Sequence, residues 1–189
     1  HTMYAAMLVG KHGSVHSFEP IPKIYNQLIS SKEANNLSDR VHANNSALGN
    51  RTENLKLYVS ENIGGSSLVN QEESKEEIDV SVVYGDDALL HLPSAHMIKI
   101  DVEGYELEVL EGIEKSLLKH RPIILIEYSG EFYNKQSSDH GRKILDLLTR
   151  TSYKLFDIED DLREISSVEH FLGEFKTRRK QTNLLCLPQ

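Results

Sequence analysis

The sequence predicts an α/β protein with a doubly wound, mostly parallel sheet, and three observations lead to this fold class. Short apolar runs that suit strands alternate along the chain with longer amphipathic segments that suit helices. Each helix is expected to connect two parallel strands by a right-handed crossover. Two of these runs, residues 97–100 and 122–128, are almost continuously apolar, as expected of central strands covered on both faces. Acidic residues directly follow several predicted strands, at the edge where α/β sheets bind their ligands.

The composition limits the possible classes of protein. The 189 residues carry a net charge of −8, which disfavours partners such as nucleic acids and anionic membrane surfaces. No apolar run approaches the length of a transmembrane helix. The one cysteine, Cys186, permits no intramolecular disulfide, which is compatible with a reducing compartment. We therefore expect a cytoplasmic protein with a single domain over residues 1–189.

Helix and strand signals alternate through the first half of the chain. Residues 2–9 are typical of the second half of a helix, and Gly10 is placed to cap it. A strand over residues 14–18 ends before Pro20, which cannot continue a ladder. A helix over residues 22–34 begins with a proline, which suits a first turn. Further strands are predicted at residues 41–47, 55–59 and 80–84.

The second half begins at MIKIDVEGYE, residues 97–106, which predicts a buried strand, a sharp turn and a helix start. The helix is expected from Glu103 to His120, with leucines along one stripe. A central strand at residues 122–128 and a helix at 139–150 follow, and the last strands are predicted at residues 153–158 and 182–187. No helix of standard length is predicted between these two strands, which are expected to form an antiparallel edge of the sheet.

Acids at predicted strand ends are the candidate functional groups. Glu19 follows an early strand, where a carboxylate can accept hydrogen bonds from both hydroxyls of a ribose. Asp101 and Glu103 follow the central strand, where one of them could orient or deprotonate a substrate hydroxyl. The alternative for this pair is a helix cap, but Asp101-x-x-Gly104 does not complete a capping box.

Glu127 lies near the end of the neighbouring predicted strand and is expected close to Asp101. Together with Glu103, these carboxylates could bind a hard divalent cation. Acids at strand ends are nevertheless common without an ion, so no metal is predicted. The sequence has no P-loop, no G-x-S-x-G nucleophile motif and no complete G-x-G-x-x-G motif.

Five segments of the sequence resemble the FkbM-type methyltransferases and occur in that family's order. They are VHSFEP at residues 15–20, NSALG at 45–49, GSS at 65–67, IKIDVEGYE at 98–106 and ILIE at 124–127. The resemblance covers roughly residues 1–158. It implies a class I, Rossmann-like fold that uses S-adenosylmethionine to methylate a hydroxyl group, often on a sugar or another natural product.

The same resemblance implies roles for particular residues. Glu19 would hold the ribose of the cofactor, residues 45–47 would lie near its adenine, and Asp101 and Glu103 would lie near its methionine end and the acceptor. The implied cofactor-binding residues are Glu19, Pro20, Asn45, Ser46, Ala47 and Asp101, and the implied catalytic residues are Asp101 and Glu103. The implied partner is a small molecule with a hydroxyl group.

The start of the sequence departs from the family pattern. Such enzymes carry a first strand and a glycine-rich loop ahead of the helix with which this chain begins, so we expect the sequence to be N-terminally incomplete. Two alternatives accompany the methyltransferase interpretation. One is a nucleotide-linked oxidoreductase, in which Glu19 would also bind a ribose but the acidic turn at Asp101 suits hydride chemistry poorly. The other is a non-catalytic binding module of the same fold.

Overall fold

A computed structural model describes residues 1–59, 76–129, 139–178 and 181–189. The helices in these ranges are α1 (Thr2–Leu8), α2 (Pro22–Ala34), α3 (Gly85–Leu89), α4 (Glu106–Gly112), α5 (Glu114–His120), α6 (His140–Arg150) and α7 (Val168–Arg178). The strands are β1 (Val15–Phe18), β2 (Val41–Asn44), β3 (Ala47–Gly49), β4 (Glu53–Val59), β5 (Glu76–Tyr84), β6 (Met97–Ile100), β7 (Ile123–Ser129), β8 (Tyr153–Asp157), β9 (Arg163–Glu164) and β10 (Gln181–Pro188). The segment at residues 65–67 that contributed to the resemblance lies outside the described residues.

The strands in the described ranges form three sheets. Their orders are β1-β2, β3-β5-β4 and β6-β7-β10-β8-β9. Three of the strand pairs are parallel, namely β1–β2, β3–β5 and β6–β7, and four are antiparallel. The α/β class is therefore confirmed, whereas a single, mostly parallel sheet is not observed in the part of the chain that the structure describes.

Three predicted helices are confirmed as α1, α2 and α6. Gly10 follows α1 with φ +70°, the left-handed conformation expected of a glycine at a helix C-terminus. Proline stands first in α2, where its missing N–H leaves no helical hydrogen bond unmade. Among the described residues, no helix has the length and apolar character needed to cross a membrane.

The strand predicted over residues 41–47 is wrong, because two strands in different sheets take its place. β2 ends at Asn44 beside β1, and β3 begins at Ala47 beside β5. Asn45 and the buried Ser46 carry the chain between the two sheets. A continuous run of strand-like residues therefore hid a change of partner that only the tertiary structure determines.

The helix predicted from Glu103 to His120 begins later and is interrupted. Glu103 and Gly104 have φ angles of +52° and +101°, which a helix does not allow, so α4 begins at Glu106. The chain leaves helical geometry again at Ile113, between α4 and α5. The predicted apolar stripe still faces the core, since Leu107, Leu110, Ile113 and Leu117 are all buried.

The second helix segment, α5, is capped by a residue far away in sequence. The carboxylate of Asp86, in α3, accepts hydrogen bonds from the Ser116 backbone N–H at 2.8 Å and from the Ser116 hydroxyl at 2.7 Å. It also accepts one from the Lys115 N–H at 3.2 Å. Asp86 is 2 % exposed, so this carboxylate supplies the acceptor that free helix N–H groups require.

At the C-terminal end, the predicted antiparallel pairing of the last two long strands is confirmed. β10 pairs antiparallel with β8, but it also pairs antiparallel with β7 and thus lies inside its sheet, not at the edge. The expectation that no helix separates these strands was wrong, because α7 lies between them. Phe171 and Phe175 of α7, four residues apart, pack edge-on against Tyr128 of β7 with centroid distances of 5.6 and 5.0 Å.

The main core lies between the five-stranded sheet and helices α4 to α7. Its fully buried side chains include Leu110, Ile113, Leu117, Ile124, Ile126, Ile144, Leu145, Leu148, Leu184 and Cys186. Strand β7 is mostly buried from Ile124 onward, although its first residue, Ile123, is exposed, and β6 is covered only at its carboxyl end. Ile100 is 2 % exposed whereas Met97 is 60 % exposed, so the prediction that this whole strand is covered on both faces was wrong.

Candidate functional site

The first candidate residue, Glu19, directly follows β1 and is held in place by two hydrogen bonds that involve backbone N–H groups. The Glu19 N–H donates to the Asn44 carbonyl at 3.0 Å and extends the β1–β2 ladder by one bond. Its Oε1 accepts a hydrogen bond from the Ile21 N–H at 2.8 Å, which turns the carboxylate back over the chain. Burial raises the pKa of Glu19, and the Ile21 hydrogen bond partly offsets this rise.

Asn45 joins the ends of β1 and β2. Its Nδ2 donates to the Glu19 carbonyl at 2.8 Å and to the Pro20 carbonyl at 3.2 Å. The structure thus brings together Glu19, Pro20 and Asn45, three of the residues that the resemblance assigns to the cofactor. Ser46 and Ala47 follow in the chain and lead away into β3, so their proximity to this group comes from the covalent chain and not from sheet pairing.

The second candidate group lies beyond the carboxyl ends of β6 and β7. These strands are parallel and pair Ile100 with Ile126, so the next residues, Asp101 and Glu127, are neighbours. Carboxylate oxygens of Asp101, Glu103 and Glu127 lie within 4.8 Å of one another. The expected convergence of Glu127 with Asp101 is therefore confirmed, and we call these three residues the acid cluster.

Burial and neighbouring charges raise the pKa values of two members of the acid cluster, Glu103 and Glu127. Burial, followed by the charge of Asp101, raises the pKa of Glu103 to about 7. The same two causes in the same order raise the pKa of Glu127 to about 7, and Lys99 lowers it only as the smallest contribution. Lys99 itself donates to the Asp101 carboxylate. Carboxyl groups with a pKa near neutrality can act as general acids or bases at physiological pH.

The backbone of the acid cluster is strained at Glu103. Its φ of +52° lies in the left-handed region, which costs a residue with a side chain roughly 1–2 kcal/mol. The following Gly104 adopts φ +101° without this cost, and its N–H donates to the Glu106 carboxylate at 3.1 Å. Strain of this kind is concentrated at functional sites, where surrounding contacts hold the backbone in place.

The spacing of the acid cluster is also that of ligands to a hard divalent cation. Within the described ranges, no histidine or cysteine joins the three carboxylates in such a group. Acidic groups at this separation are common without an ion, and no other feature of the cluster selects a metal. We therefore assign no metal to it.

The two candidate groups are connected through the core. Phe18, just before Glu19, packs against the same core as Ile100, just before Asp101. In addition, α4 leads from the acid cluster to Gly112, where an added Cβ would lie 2.0 Å from the Gly49 carbonyl oxygen. Gly49 ends β3, the strand that follows Asn45 and Ser46, so the strand after the first group packs against the helix after the second.

Three residues near the acid cluster were not predicted from the sequence. Lys99 could have been noted, because a lysine in an apolar strand needs a nearby carboxylate. Glu106 is completely buried, and its position in a helix first turn looks unremarkable in the sequence. Gln181 donates from its Nε2 to Glu127 Oε1, a contact that depends on the register of β10 beside β7 and has no local signal.

Comparison with known proteins places these features in a family. A sequence model of the methyltransferase FkbM domain matches residues 1–155. No curated protein matches the chain. The crystal structure of Methyltransferase FkbM from Methylobacillus flagellatus KT is similar, with a TM-score of 0.57 and 17% sequence identity over 97% of this chain and 40% of that one.

At this identity the similarity to the solved structure concerns the fold alone. This chain also spans only two fifths of the length of that protein. The family itself is shown by the sequence model, which covers most of the chain, including Glu19 and the acid cluster. The chain therefore belongs to the FkbM methyltransferase domain family.

Proposed function

We propose that this chain is the S-adenosylmethionine-dependent O-methyltransferase part of an enzyme that modifies a hydroxyl group of a small molecule, such as a sugar or another natural product. The observation that carries the proposal is the convergence of Asp101, Glu103 and Glu127 beyond β6 and β7 in a member of a methyltransferase family. A carboxyl group with a pKa near neutrality suits the transfer of a hydroxyl proton.

The residues present fit the proposed cofactor in charge and in hydrogen bonding. S-adenosylmethionine carries a sulfonium and an ammonium group, and the acid cluster brings together three carboxyl groups, of which Asp101 pairs with Lys99. Glu19 is only partly exposed, and a carboxylate that accepts one hydrogen bond from Ile21 can accept others from ribose hydroxyls. Asn45, Ser46 and Ala47 would then lie on the adenine side.

In the proposed reaction, the protein positions an acceptor hydroxyl and receives its proton. S-adenosylmethionine would supply the methyl group, so that an oxygen–carbon bond forms, the sulfur–carbon bond breaks and its electron pair stays on sulfur. The carboxylate of Asp101 or Glu103 would orient the hydroxyl and take its proton, a role worth roughly 10²–10⁴ in rate. Orientation of the two reactants could supply up to about 7–11 kcal/mol of the barrier reduction.

Calorimetric titration of the full-length protein with S-adenosylhomocysteine tests this proposal. We expect Glu19→Gln to weaken binding by about tenfold or more, because hydrogen bonds to a charged group contribute roughly 1.5–3 kcal/mol. Glu33→Gln, an exposed residue of α2, is the matched control and should leave the affinity unchanged. Absence of binding to the unmodified protein, or equal affinity of the two variants, would contradict the proposal.

The two alternatives make different predictions. A nucleotide-linked oxidoreductase would bind NADH, which a fluorescence titration detects, but neither the family match nor the acid cluster favours hydride transfer. A non-catalytic module would bind S-adenosylhomocysteine without transferring methyl groups. Methyl transfer to a panel of hydroxylated acceptors separates this module from the proposed enzyme.

A further inference from the structure

The last strand of the described chain reaches the acid cluster. β10 runs antiparallel to β7 with Asn183 opposite Glu127 and Gln181 opposite Ser129. From this diagonal position, the Gln181 Nε2 donates a hydrogen bond to Glu127 Oε1. Gln181 lies beyond residues 1–155, the stretch that the family model matches, so this contact joins a residue outside the matched region to one inside it.

The surroundings of Glu127 are rich in negative charge. β6 and the turn after it contribute Lys99, Asp101 and Glu103, and α4 contributes the buried Glu106. Lys99, the cation that acts on Glu127 among the residues that the structure describes, is bound to Asp101. Glu127 is only 9% exposed, so water screens these charges weakly. Negative charges this close together disfavour simultaneous ionisation of Glu103 and Glu127.

Gln181 suits the retention of a proton by this pair because an amide is a neutral donor. A lysine or arginine at this position would stabilise the ionised form of Glu127 and expel the proton. The amide instead fixes the carboxyl group by a hydrogen bond to Oε1. When Glu127 is protonated, its own proton is therefore carried on Oε2.

We propose that Glu103 and Glu127 hold one proton between them and that Gln181 is the positioning residue that orients Glu127 within this pair. The catalytic meaning of the pair rests on the methyltransferase function proposed above. In that reaction Glu103, as the ionised member of the pair, receives the hydroxyl proton as the oxygen–carbon bond forms, so the pair passes from one proton to two. Release of one proton to water then restores it.

Carbon-13 NMR of the glutamate carboxyl groups, followed from pH 4 to pH 9 in full-length protein treated with a chelator, tests the pair directly. The Glu127 signal is identified by its absence in Glu127→Gln. We expect Glu103→Gln to lower the Glu127 titration midpoint, because a neighbouring negative charge is removed. The exposed Glu33→Gln should not change that midpoint. An unchanged Glu127 midpoint in Glu103→Gln would overturn the shared proton.

The positioning role of Gln181 is tested by two substitutions with opposite expected effects. Gln181→Leu removes a donor to the carboxylate and should raise the Glu127 midpoint, whereas Gln181→Lys adds a positive charge and should lower it. A residue that only supports the sheet would not shift the midpoint in opposite directions. Gln27→Leu, an exposed position of α2, is the matched control. Equal midpoints in both Gln181 variants and the unmodified protein would overturn the role.

Calorimetry with S-adenosylhomocysteine on the same samples separates this inference from the proposed function. Binding of the ligand together with uncoupled titration of Glu103 and Glu127 would remove the proton pair and leave the methyltransferase proposal intact. Coupled titration without any ligand binding would do the reverse.

Discussion

The carboxyl ends of β1 and β6 both carry acids, but the two ends are built in different ways. At the end of β1, neutral groups hold Glu19 and its backbone, through the Ile21 N–H and the Asn45 amide. At the end of β6, the acid cluster sets like charges against one another, with a strained backbone at Glu103. Neutral donors around one acid suit fixed recognition of a ligand, whereas crowded carboxyl groups suit the movement of a proton.

The largest expected effect on stability comes from a substitution at Gly112, where α4 packs against Gly49 of β3. Gly112→Ala would place a Cβ 2.0 Å from the Gly49 carbonyl oxygen, and a backbone atom cannot move aside as a flexible side chain can. We expect the free energy of unfolding to fall by about 1–3 kcal/mol or more, measured by urea denaturation.

Gly173→Ala is the matched control, since nothing lies within 4 Å of an added Cβ at this exposed position of α7. It should raise the free energy of unfolding by roughly 0.5–1 kcal/mol, because alanine is the better helix former. Equal stability of the two variants would show that α4 and β3 are not held in close contact.

Relief of the backbone strain at Glu103 is expected to have a smaller effect, an increase in the free energy of unfolding. Glu103→Asn should raise the free energy of unfolding by roughly 1 kcal/mol, because asparagine tolerates the left-handed backbone better and one of the crowded charges disappears. Asp161→Asn, at φ +51° in an exposed turn, changes the same kind of backbone position outside the acid cluster. A gain of equal size in both variants would mean that charge crowding contributes nothing at Glu103.

A further expected effect is a difference in pH dependence between the two regions. The pKa of Glu127 is raised from 4.5 to about 7 in the folded state, so its contribution to stability is complete below pH 4.5 and is lost as the pH rises to about 7. His16 of β1 stacks on His42 of β2 at 4.7 Å, and burial, followed by the charge of His42, lowers its pKa below 6.5. Its contribution is therefore present above pH 6.5 and lost as the pH falls.

Urea denaturation between pH 4 and pH 8 measures both effects. Glu127→Gln should flatten the loss of stability on the alkaline side, and His16→Gln should flatten the loss on the acidic side. If both substitutions changed the free energy of unfolding on the same side of the pH range, the proposed electrostatic difference between the two strand ends would be contradicted.

Local patterns were sufficient to predict most elements and the position of the candidate groups. Pro22, Gly10 and the apolar run before Asp101 each follow from the conformations that single residues allow, and the structure has the predicted element at each of them. Acids at strand ends could be placed together because parallel strands bring their carboxyl ends to one edge, as Asp101 and Glu127 show. The roles of these residues and the single-domain assignment stay predictions.

Other features depend on contacts between distant parts of the chain, which the sequence pattern does not contain. The break at Ile113 is accompanied by capping of α5 by Asp86, about thirty residues away along the chain. Helix α7 was missed although Phe171 and Phe175 have helical spacing and the Ser167 hydroxyl accepts the His170 N–H at 3.3 Å near its start. The contact of Gln181 with Glu127 needs the register of two strands and could not have been predicted.

The position of β10 between β7 and β8 has a consequence for the order of folding. These two strands come earlier in the chain, yet no hydrogen bond of the ladder joins them directly, because each pairs with β10. The five-stranded sheet can therefore be completed only after residues 181–188 have left the ribosome and inserted between them. Until then, the edge of β7 beside Glu127 stays open, so closure of the sheet and the contact of Gln181 with Glu127 are one late event.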